Sequence, residues 1–305
     1  MSLQAIFITG PTAIGKTSLA LSLAKKYNGY IINSDSMQVY KELKILTARP
    51  TIDEQKNIEH FLFGHVSGRL RYNVAQWCND IIDIIKSKKN KKKVAIVVGG
   101  TGLYINSLLN GIATIPNIEE KYKEKSKKIL LEIGTKEFYK IVHAIDKISC
   151  EKISVNDSQR LQRIWEVYQA TKKPLSEWIN QNHKIFLKNF KYQIFLFLPN
   201  REKIYKTINK RFVTMINNGA IEEVKNLLSM KLNLSLPIMK AHGVPEISNF
   251  LSGIYDLEEC ISKGQQVTRN YAKRQITWWK SSKLNNINNY DVFPSDFEIN
   301  FPDFP

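Results

Sequence analysis

The stretch Gly10-Pro11-Thr12-Ala13-Ile14-Gly15-Lys16-Thr17 decides the fold. It matches the pattern G-x-x-x-x-G-K-[ST] at every fixed position, and it lies between the apolar run 5–9 and a helical pattern over 18–27. A strand, such a loop and a helix in this order bind phosphate, because the loop N–H groups and the helix N-terminus point at the anion. We therefore predict a phosphate site in which Lys16 neutralises charge and the Thr17 hydroxyl reaches Mg²⁺.

Three further apolar runs, at 30–33, 94–98 and 193–198, predict strands of the same sheet. Their apolar residues are continuous rather than alternating, which is typical of strands buried on both faces. Helical patterns separate the runs, so the strands are expected to be parallel. We predict an α/β fold with a parallel sheet and helices on both of its faces.

Residues 118–192 differ from the rest, because they are rich in lysine and show helical periodicity without a strand pattern. Asn156 to Gln159 is typical of a helix N-terminus, with Asn156 as the cap. We predict a helical subdomain at 118–192, inserted between a first core part at 1–117 and a second, mostly helical part at 193–283. An acidic tail at 284–305 is expected to be irregular.

The composition favours a polyanionic partner. The 305 residues include 45 Lys and Arg against 28 Asp and Glu, a formal net charge of +17. The longest apolar runs fall short of the roughly 18–20 residues that a membrane span needs, so no membrane partner is expected. Three widely separated cysteines without a CxxC pair fit a reducing compartment such as the cytoplasm. The five histidines show no metal-ligand spacing.

Two polar residues follow predicted strands. Asp35 comes after the run 30–33, and Thr101 lies in Gly99-Gly-Thr-Gly102 after the run 94–98. Enzymes that hydrolyse ATP with such a loop hold Mg²⁺ with an aspartate at another strand end, and the run 94–98 ends without a carboxylate. Each residue alone would be a helix cap or a turn residue. Because carboxyl ends of parallel strands form one crevice, we expect both to face the phosphate site.

Six motifs in order resemble one known family, the bacterial tRNA dimethylallyltransferases, over roughly residues 5–283. They are Gly10 to Thr17, Asp35-Ser-Met-Gln-Val-Tyr40, Gly99-Gly-Thr-Gly-Leu-Tyr104, Asn156-Asp-Ser-Gln-Arg160, Arg211-Phe-Val-Thr-Met215 and Ala272-Lys-Arg-Gln-Ile-Thr-Trp278.

The resemblance implies a P-loop NTPase-like core that transfers a dimethylallyl group from dimethylallyl diphosphate to N6 of adenosine 37 in tRNA. Residues 10–17 would hold the diphosphate, with Mg²⁺ on Thr17. Asp35 would take the proton of the amine, and Thr101 and Arg211 would stabilise the leaving diphosphate. The inserted helices would grip the anticodon stem-loop of the tRNA. Apart from the resemblance, we expect the chain to act as a monomer. The implied tRNA contacts are Asp35, Ser36, Met37, Gln38, Thr101, Gln159, Arg160, Leu161, Gln162, Arg163, Arg269, Lys273 and Arg274.

Three other functions remain open from the residues alone. The same loop would serve a nucleotide or nucleoside kinase, which gives no use for residues 118–192. A prenyltransferase acting on free adenine nucleotides would not need that insertion either. A plain RNA-binding module would not need the phosphate loop.

The run 86–93, with six lysines in eight residues, looks like a nucleic-acid patch. It precedes the run 94–98, which puts it at the edge of the sheet opposite the crevice. We predict a solvated loop there.

Overall fold

The computed structural model describes residues 5–55, 58–88, 93–181, 183–187 and 190–297. The chain divides into two compact units: 1–109 with 186–305, and 110–185. Within the described ranges, no helix is both long and apolar enough to traverse a bilayer.

The strands are short, and most of them belong to the larger unit. Among the described residues, six strands form one sheet in the order β3-β2-β4-β1-β7-β8, and every neighbouring pair is parallel. The strands are β1 Ala5–Thr9, β2 Tyr30–Asn33, β3 His60–Phe61, β4 Ala95–Gly99, β5 Ile112–Ala113, β6 His183–Lys184, β7 Tyr192–Phe197 and β8 Ile287–Tyr290. Strands β5 and β6 form a separate antiparallel pair in the smaller unit.

The helices lie between the strands and after β7. They are α1 Lys16–Lys26, α2 Ile52–Gln55, α3 Val74–Lys88, α4 Gly102–Asn110, α5 Glu120–Ile145, α6 Lys147–Cys150, α7 Ser158–Thr171, α8 Leu175–Asn180, α9 Arg201–Met215, α10 Ile221–Ser229, α11 Val244–Leu251 and α12 Leu257–Lys280.

The central strands are buried along their whole length. Every residue of β1, β2 and β4 is buried, and β1 pairs with β4 from Ala5 opposite Ala95 to Thr9 opposite Gly99. Apolar side chains from both faces pack against helices, which explains why the runs are continuous rather than alternating. The prediction of a parallel α/β sheet with helices on both faces is therefore confirmed.

The tail is more regular than its sequence indicates. The expectation of an irregular segment from residue 284 is wrong over β8, which pairs in parallel with β7 from Ile194 opposite Ile287 to Phe197 opposite Tyr290. Tyr290 also stacks on Phe197, with ring centroids 5.2 Å apart. Backbone hydrogen bonds to β7 thus stabilise this strand, although its polar sequence Ile-Asn-Asn-Tyr shows no strand pattern.

The smaller unit has its own core. Phe138, Val142, Leu161 and Trp165 are buried together between α5 and α7. Helix α5 is interrupted at Gly134, whose φ of 75° lies in the left-handed region. The cap of α7 is Asp157, whose side chain accepts a hydrogen bond from the Arg160 N–H, and not Asn156 as the sequence pattern indicates.

Candidate active site

The predicted phosphate loop connects β1 to α1 with a backbone that requires glycine at its ends. Gly10 has a φ of 141°, and a Cβ there would lie 2.2 Å from the Phe197 carbonyl oxygen. Gly15 caps α1 with a φ of 86°. Residues 12–17 line a cavity of about 130 Å³, named here the phosphate cavity. Its other lining residues are Asp35, Gln38, Thr47, Ala48, Val98, Gly99, Gly100, Arg211 and Gln275.

Two cations approach this cavity. Lys16 donates from Nζ to the Pro11 carbonyl oxygen at 2.6 Å, and Arg211 donates from Nη2 to the Thr12 hydroxyl at 2.7 Å. Burial lowers the pKa of Lys16 to about 7, while Asp35 opposes the shift. Burial likewise lowers the pKa of Arg211 to about 10, again against Asp35. Both shifts indicate that burial disfavours the charged forms of these side chains, so an anion bound in the cavity would stabilise their positive charges.

The carboxylate of Asp35 is held in a fixed orientation. Its Oδ1 accepts hydrogen bonds from the N–H groups of Met37 at 2.8 Å and Gln38 at 3.3 Å. Its own N–H donates to Oδ1 of the buried Asn33 at 2.8 Å. Asp35 is thus a turn cap as well as a cavity residue. Its Oδ2 accepts no hydrogen bond from the described part of the chain, so it is available to a ligand.

Thr101 lies beside Asp35, as the strand-end argument predicts. Its hydroxyl oxygen accepts the Ser36 N–H at 3.2 Å. Tyr271 of α12 lies near the same side chain, and its pKa is raised by burial and by the nearby Asp35. Tyr271 therefore stays neutral and polar.

A second cavity of about 270 Å³ adjoins the first, since Thr12, Asp35, Thr47 and Arg211 line both. We name it the apolar cavity, because apolar side chains of α9 and of two loop residues form one of its walls. The residues of that wall are Leu46, Ile208, Phe212, Met215 and Ala241. The remaining lining residues are Ser36, Met37, Lys240, His242, Thr268, Tyr271 and Arg274.

Several of these residues were not expected from the sequence. His242 packs against Tyr271 with ring centroids 4.7 Å apart, and burial followed by Arg274 lowers its pKa. Tyr271 and Gln275 lie four residues apart on α12, so one face of that helix carries both. The spacing of Tyr271, Gln275 and Trp278 was a usable signal, but it is also the spacing of ordinary helix packing.

The three cations predicted on α12 have different surroundings. Arg274 lines the apolar cavity and lies 5.8 Å from the ring centroid of Tyr271. Arg269 is half-buried and donates to Oδ1 of Asn209 at 2.7 Å. Lys273 is exposed and lines neither cavity.

The predicted RNA-contacting residues of the smaller unit lie on α7. Gln159, Arg160 and Arg163 are exposed and Gln162 is half-buried, and Arg160 pairs with Asp157 at 3.1 Å. The interpretation of Leu161 as a tRNA contact is wrong, because its side chain is fully buried in the core of this unit. The buried apolar stripe of α7 and its exposed polar residues therefore lie on different faces of the helix.

The donor set around the loop fits a hydrated Mg²⁺. Within the described ranges, no group of three His, Cys, Asp or Glu side chains converges as a metal site. Mg²⁺ at phosphate sites instead takes one or two protein oxygens together with phosphate oxygens and water. Thr17 and Asp35 both line the phosphate cavity and provide such oxygens.

The lysine run at 86–93 is only partly described, since residues 89–92 lie outside the described ranges. Lys88 and Lys93 both bond to the carboxylate of Glu59. The single carboxylate of Glu59 thus compensates one of these two positive charges.

Comparison with known proteins gives consistent results. Residues 38–282 match the family model described as IPP transferase. The chain is 40% identical over 287 residues to the tRNA dimethylallyltransferase of Ehrlichia canis, covering 94% of both chains. The tRNA delta(2)-isopentenylpyrophosphate transferase of Staphylococcus epidermidis has a similar structure, with a TM-score of 0.67, 32% identity and coverage of 97% and 94%. A eukaryotic dimethylallyltransferase crystallised acting on tRNA gives a TM-score of 0.80 at 30% identity, covering 97% of this chain and 75% of its own.

Proposed function

Because the chain belongs to the IPP transferase family, whose members are prenyltransferases, we propose that it transfers a dimethylallyl group from dimethylallyl diphosphate to N6 of adenosine 37 in tRNA. One observation carries this proposal. Asp35 lies where the phosphate cavity meets the apolar cavity, beside Lys16 and Arg211. An anion site, an apolar site and a carboxylate are thereby next to one another.

The phosphate cavity takes the diphosphate. The N–H groups of residues 12–17 and the start of α1 provide donors for the anion, and Lys16 and Arg211 provide positive charge. Thr17 would hold Mg²⁺, which neutralises charge on the departing diphosphate. The dimethylallyl group then extends into the apolar cavity, whose wall of aliphatic and aromatic side chains excludes water from the reacting carbon.

The carboxylate of Asp35 acts on the amine. A neutral exocyclic amine is a weak nucleophile, so a general base beside it accelerates attack. The N6 lone pair forms a bond to C1 of the dimethylallyl group, the C1–O bond breaks, and the electron pair leaves with the diphosphate. The N6 proton passes to Asp35, and Thr101 and Arg211 stabilise the charge that develops on the leaving group.

The target base must leave the anticodon loop to reach this site. Ser36, Met37 and Gln38 follow Asp35 and would flank the base. Arg274, with Arg269 and Lys273, would contact tRNA phosphates. Gln159, Arg160, Gln162 and Arg163 of α7 would grip the anticodon stem-loop, which requires cations that follow the backbone.

The test is incubation with dimethylallyl diphosphate labelled in its prenyl group, with unmodified tRNA as acceptor. We expect label in the tRNA, recovered after digestion as N6-dimethylallyladenosine from position 37. A tRNA carrying guanosine at position 37 is the matched control and should stay unlabelled. Label in free adenosine monophosphate instead of tRNA, or phosphate transfer from ATP to a nucleoside without label in tRNA, would overturn the proposal.

A further inference from the structure

The side chain of Gln275 reaches from α12 to the phosphate loop. Gln275 is 6% exposed, and its Oε1 accepts a hydrogen bond from the Thr12 N–H at 2.8 Å. A backbone N–H can bond only to the oxygen of an amide, so this contact fixes which end of the side chain is which. The NH₂ group of Gln275 therefore points away from Thr12.

That NH₂ group has no partner. Its Nε2 is buried and makes no hydrogen bond with the described residues. A buried donor without an acceptor costs free energy, so such groups in folded proteins have a reason to be there. Three other buried side-chain atoms share this state in the described ranges: Ser34 Oγ, His60 Nε2 and Trp279 Nε1. None of those three residues lines the phosphate cavity, whereas Gln275 does.

The loop after β4 leaves room for this amide. A Cβ built on Gly100 would lie 2.1 Å from Nε2 of Gln275 and 2.9 Å from the Gly10 carbonyl oxygen. Even an alanine at position 100 would displace the amide. The glycine thus lets α12 bring a donor to the rim of the cavity that Lys16 and Arg211 also line.

We propose that Gln275 is a diphosphate-binding residue: its Nε2 donates a hydrogen bond to a diphosphate oxygen while its Oε1 holds the Thr12 N–H. An anion in the phosphate cavity supplies the missing acceptor. A neutral amide suits this position because it adds a donor without a third buried positive charge beside Lys16 and Arg211. The inference rests on the proposed function, in which this cavity receives the diphosphate.

The test measures binding of inorganic diphosphate, with Mg²⁺, to the full chain by calorimetry. Gln275→Glu keeps an oxygen for the Thr12 N–H and replaces the donor by an acceptor with negative charge. We expect at least a tenfold weaker affinity at pH 8. Gln266→Glu adds the same charge to the exposed face of α12 and should stay within twofold.

Kinetics give a second readout. Gln275→Glu should raise KM for the prenyl diphosphate and leave the Kd for tRNA unchanged, which a general loss of folding would not do. If that variant does not fold, Gln275→Met decides, because it has a similar length and lacks the donor. Affinities within twofold of the unmodified protein for both variants would overturn the inference.

Lys16→Ala separates the two proposals. If Lys16→Ala loses diphosphate binding while both Gln275 variants keep it, only the inference about Gln275 fails. If Lys16→Ala also binds diphosphate normally, the loop is not the diphosphate site and the proposed function itself is contradicted.

Discussion

At the scale of single residues, the strand-end rule located the centre of the site from sequence. Asp35 and Thr101 follow β2 and β4, two buried strands that pair with each other, and the Thr101 hydroxyl accepts the N–H of Ser36 next to Asp35. Of the two residues, Asp35 lines the phosphate cavity. The rule could not locate Tyr271, His242 or Gln275. These residues reach the site because α12 and the turn before α11 pack there. The helical spacing on α12 does not distinguish residues of a site from residues of ordinary helix packing.

Arg211 offers a test of the electrostatics at this scale. Arg211→Lys keeps the charge but loses the planar fork that reaches the Thr12 hydroxyl at 2.7 Å. We expect kcat for prenyl transfer to fall by about 10²-fold, the usual cost of one misplaced transition-state donor. Arg201→Lys, at the exposed start of the same helix, is the control and should change kcat less than twofold. A similar kcat for the two variants would contradict the role of Arg211.

At the scale of elements, buried strands were predictable and edge strands were not. The runs at 5–9, 30–33, 94–98 and 193–198 agree with β1, β2, β4 and β7 within one residue. Strand β3 has two residues, and β8 has the polar sequence Ile-Asn-Asn-Tyr. Both lie at the edges of the sheet, where a neighbouring backbone rather than an apolar side-chain pattern decides the conformation.

The packing of α9 on α12 depends on Gly264. A Cβ there would lie 1.9 Å from the Phe212 ring, and Phe212 is the neighbour of Arg211. We expect Gly264→Ala to lower the free energy of unfolding by about 1–3 kcal/mol, the usual range for overpacking a core. It should also lower kcat, because α9 must shift. Thermal denaturation and single-turnover assays check this, with Ser262→Ala on the exposed face of α12 as the control. If Gly264→Ala changes neither the free energy of unfolding nor kcat, the close contact between Gly264 and Phe212 is not required.

In the smaller unit, Asp146 makes a pH-dependent contribution to stability. Burial opposes its ionisation, but hydrogen bonds from Ser176 and Ser149 outweigh burial and lower its pKa. The contribution is therefore complete above the unfolded pKa of about 4 and is lost as pH falls through the lower folded value. Asp146→Asn should lower the local opening free energy of 147–180 by about 1–3 kcal/mol at pH 7 and flatten its acid dependence.

Amide exchange, corrected for intrinsic rates at each pH, measures this effect in the full chain. Asp157→Asn is the matched control, since asparagine caps a helix about as well as aspartate. Equal protection in Asp146→Asn and the unmodified protein at pH 7 would rule out the contribution.

At the scale of the whole molecule, the net charge of +17 indicates a polyanion without saying where it binds. Nine of the basic residues are arginines, and five of these lie in or beside the motifs that carry the family resemblance. The structure divides them further. Arg211 and Arg274 line cavities, Arg269 bonds to Asn209, and Arg160 and Arg163 are exposed on α7. The position of each arginine in the structure distinguishes cations that line a cavity from cations on the surface. The amino-acid composition alone does not contain this information.

The proposed tRNA-binding role of α7 predicts a change in salt dependence. Replacing both Arg160 and Arg163 by alanine removes two phosphate contacts, so fewer counterions are released on binding. We expect weaker binding and a slope of log affinity against log salt that is shallower by about 1–2 units. The control removes the same charge from two lysines of the run 86–93, and its slope and activity should stay unchanged. If the slope of the arginine variant is as steep as that of the unmodified protein, the role of α7 in tRNA binding is contradicted.

The central claim is that Asp35 is the base that takes the N6 proton. Asp35→Asn tests it most directly, because asparagine keeps an oxygen for the N–H groups of Met37 and Gln38 and so preserves the turn. The measurement is the single-turnover rate of label transfer from dimethylallyl diphosphate to tRNA, with tRNA affinity determined on the same sample. We predict a rate lower by about 10²–10⁴-fold with tRNA affinity within about twofold. An unchanged rate, or equal losses in rate and affinity, would contradict the claim.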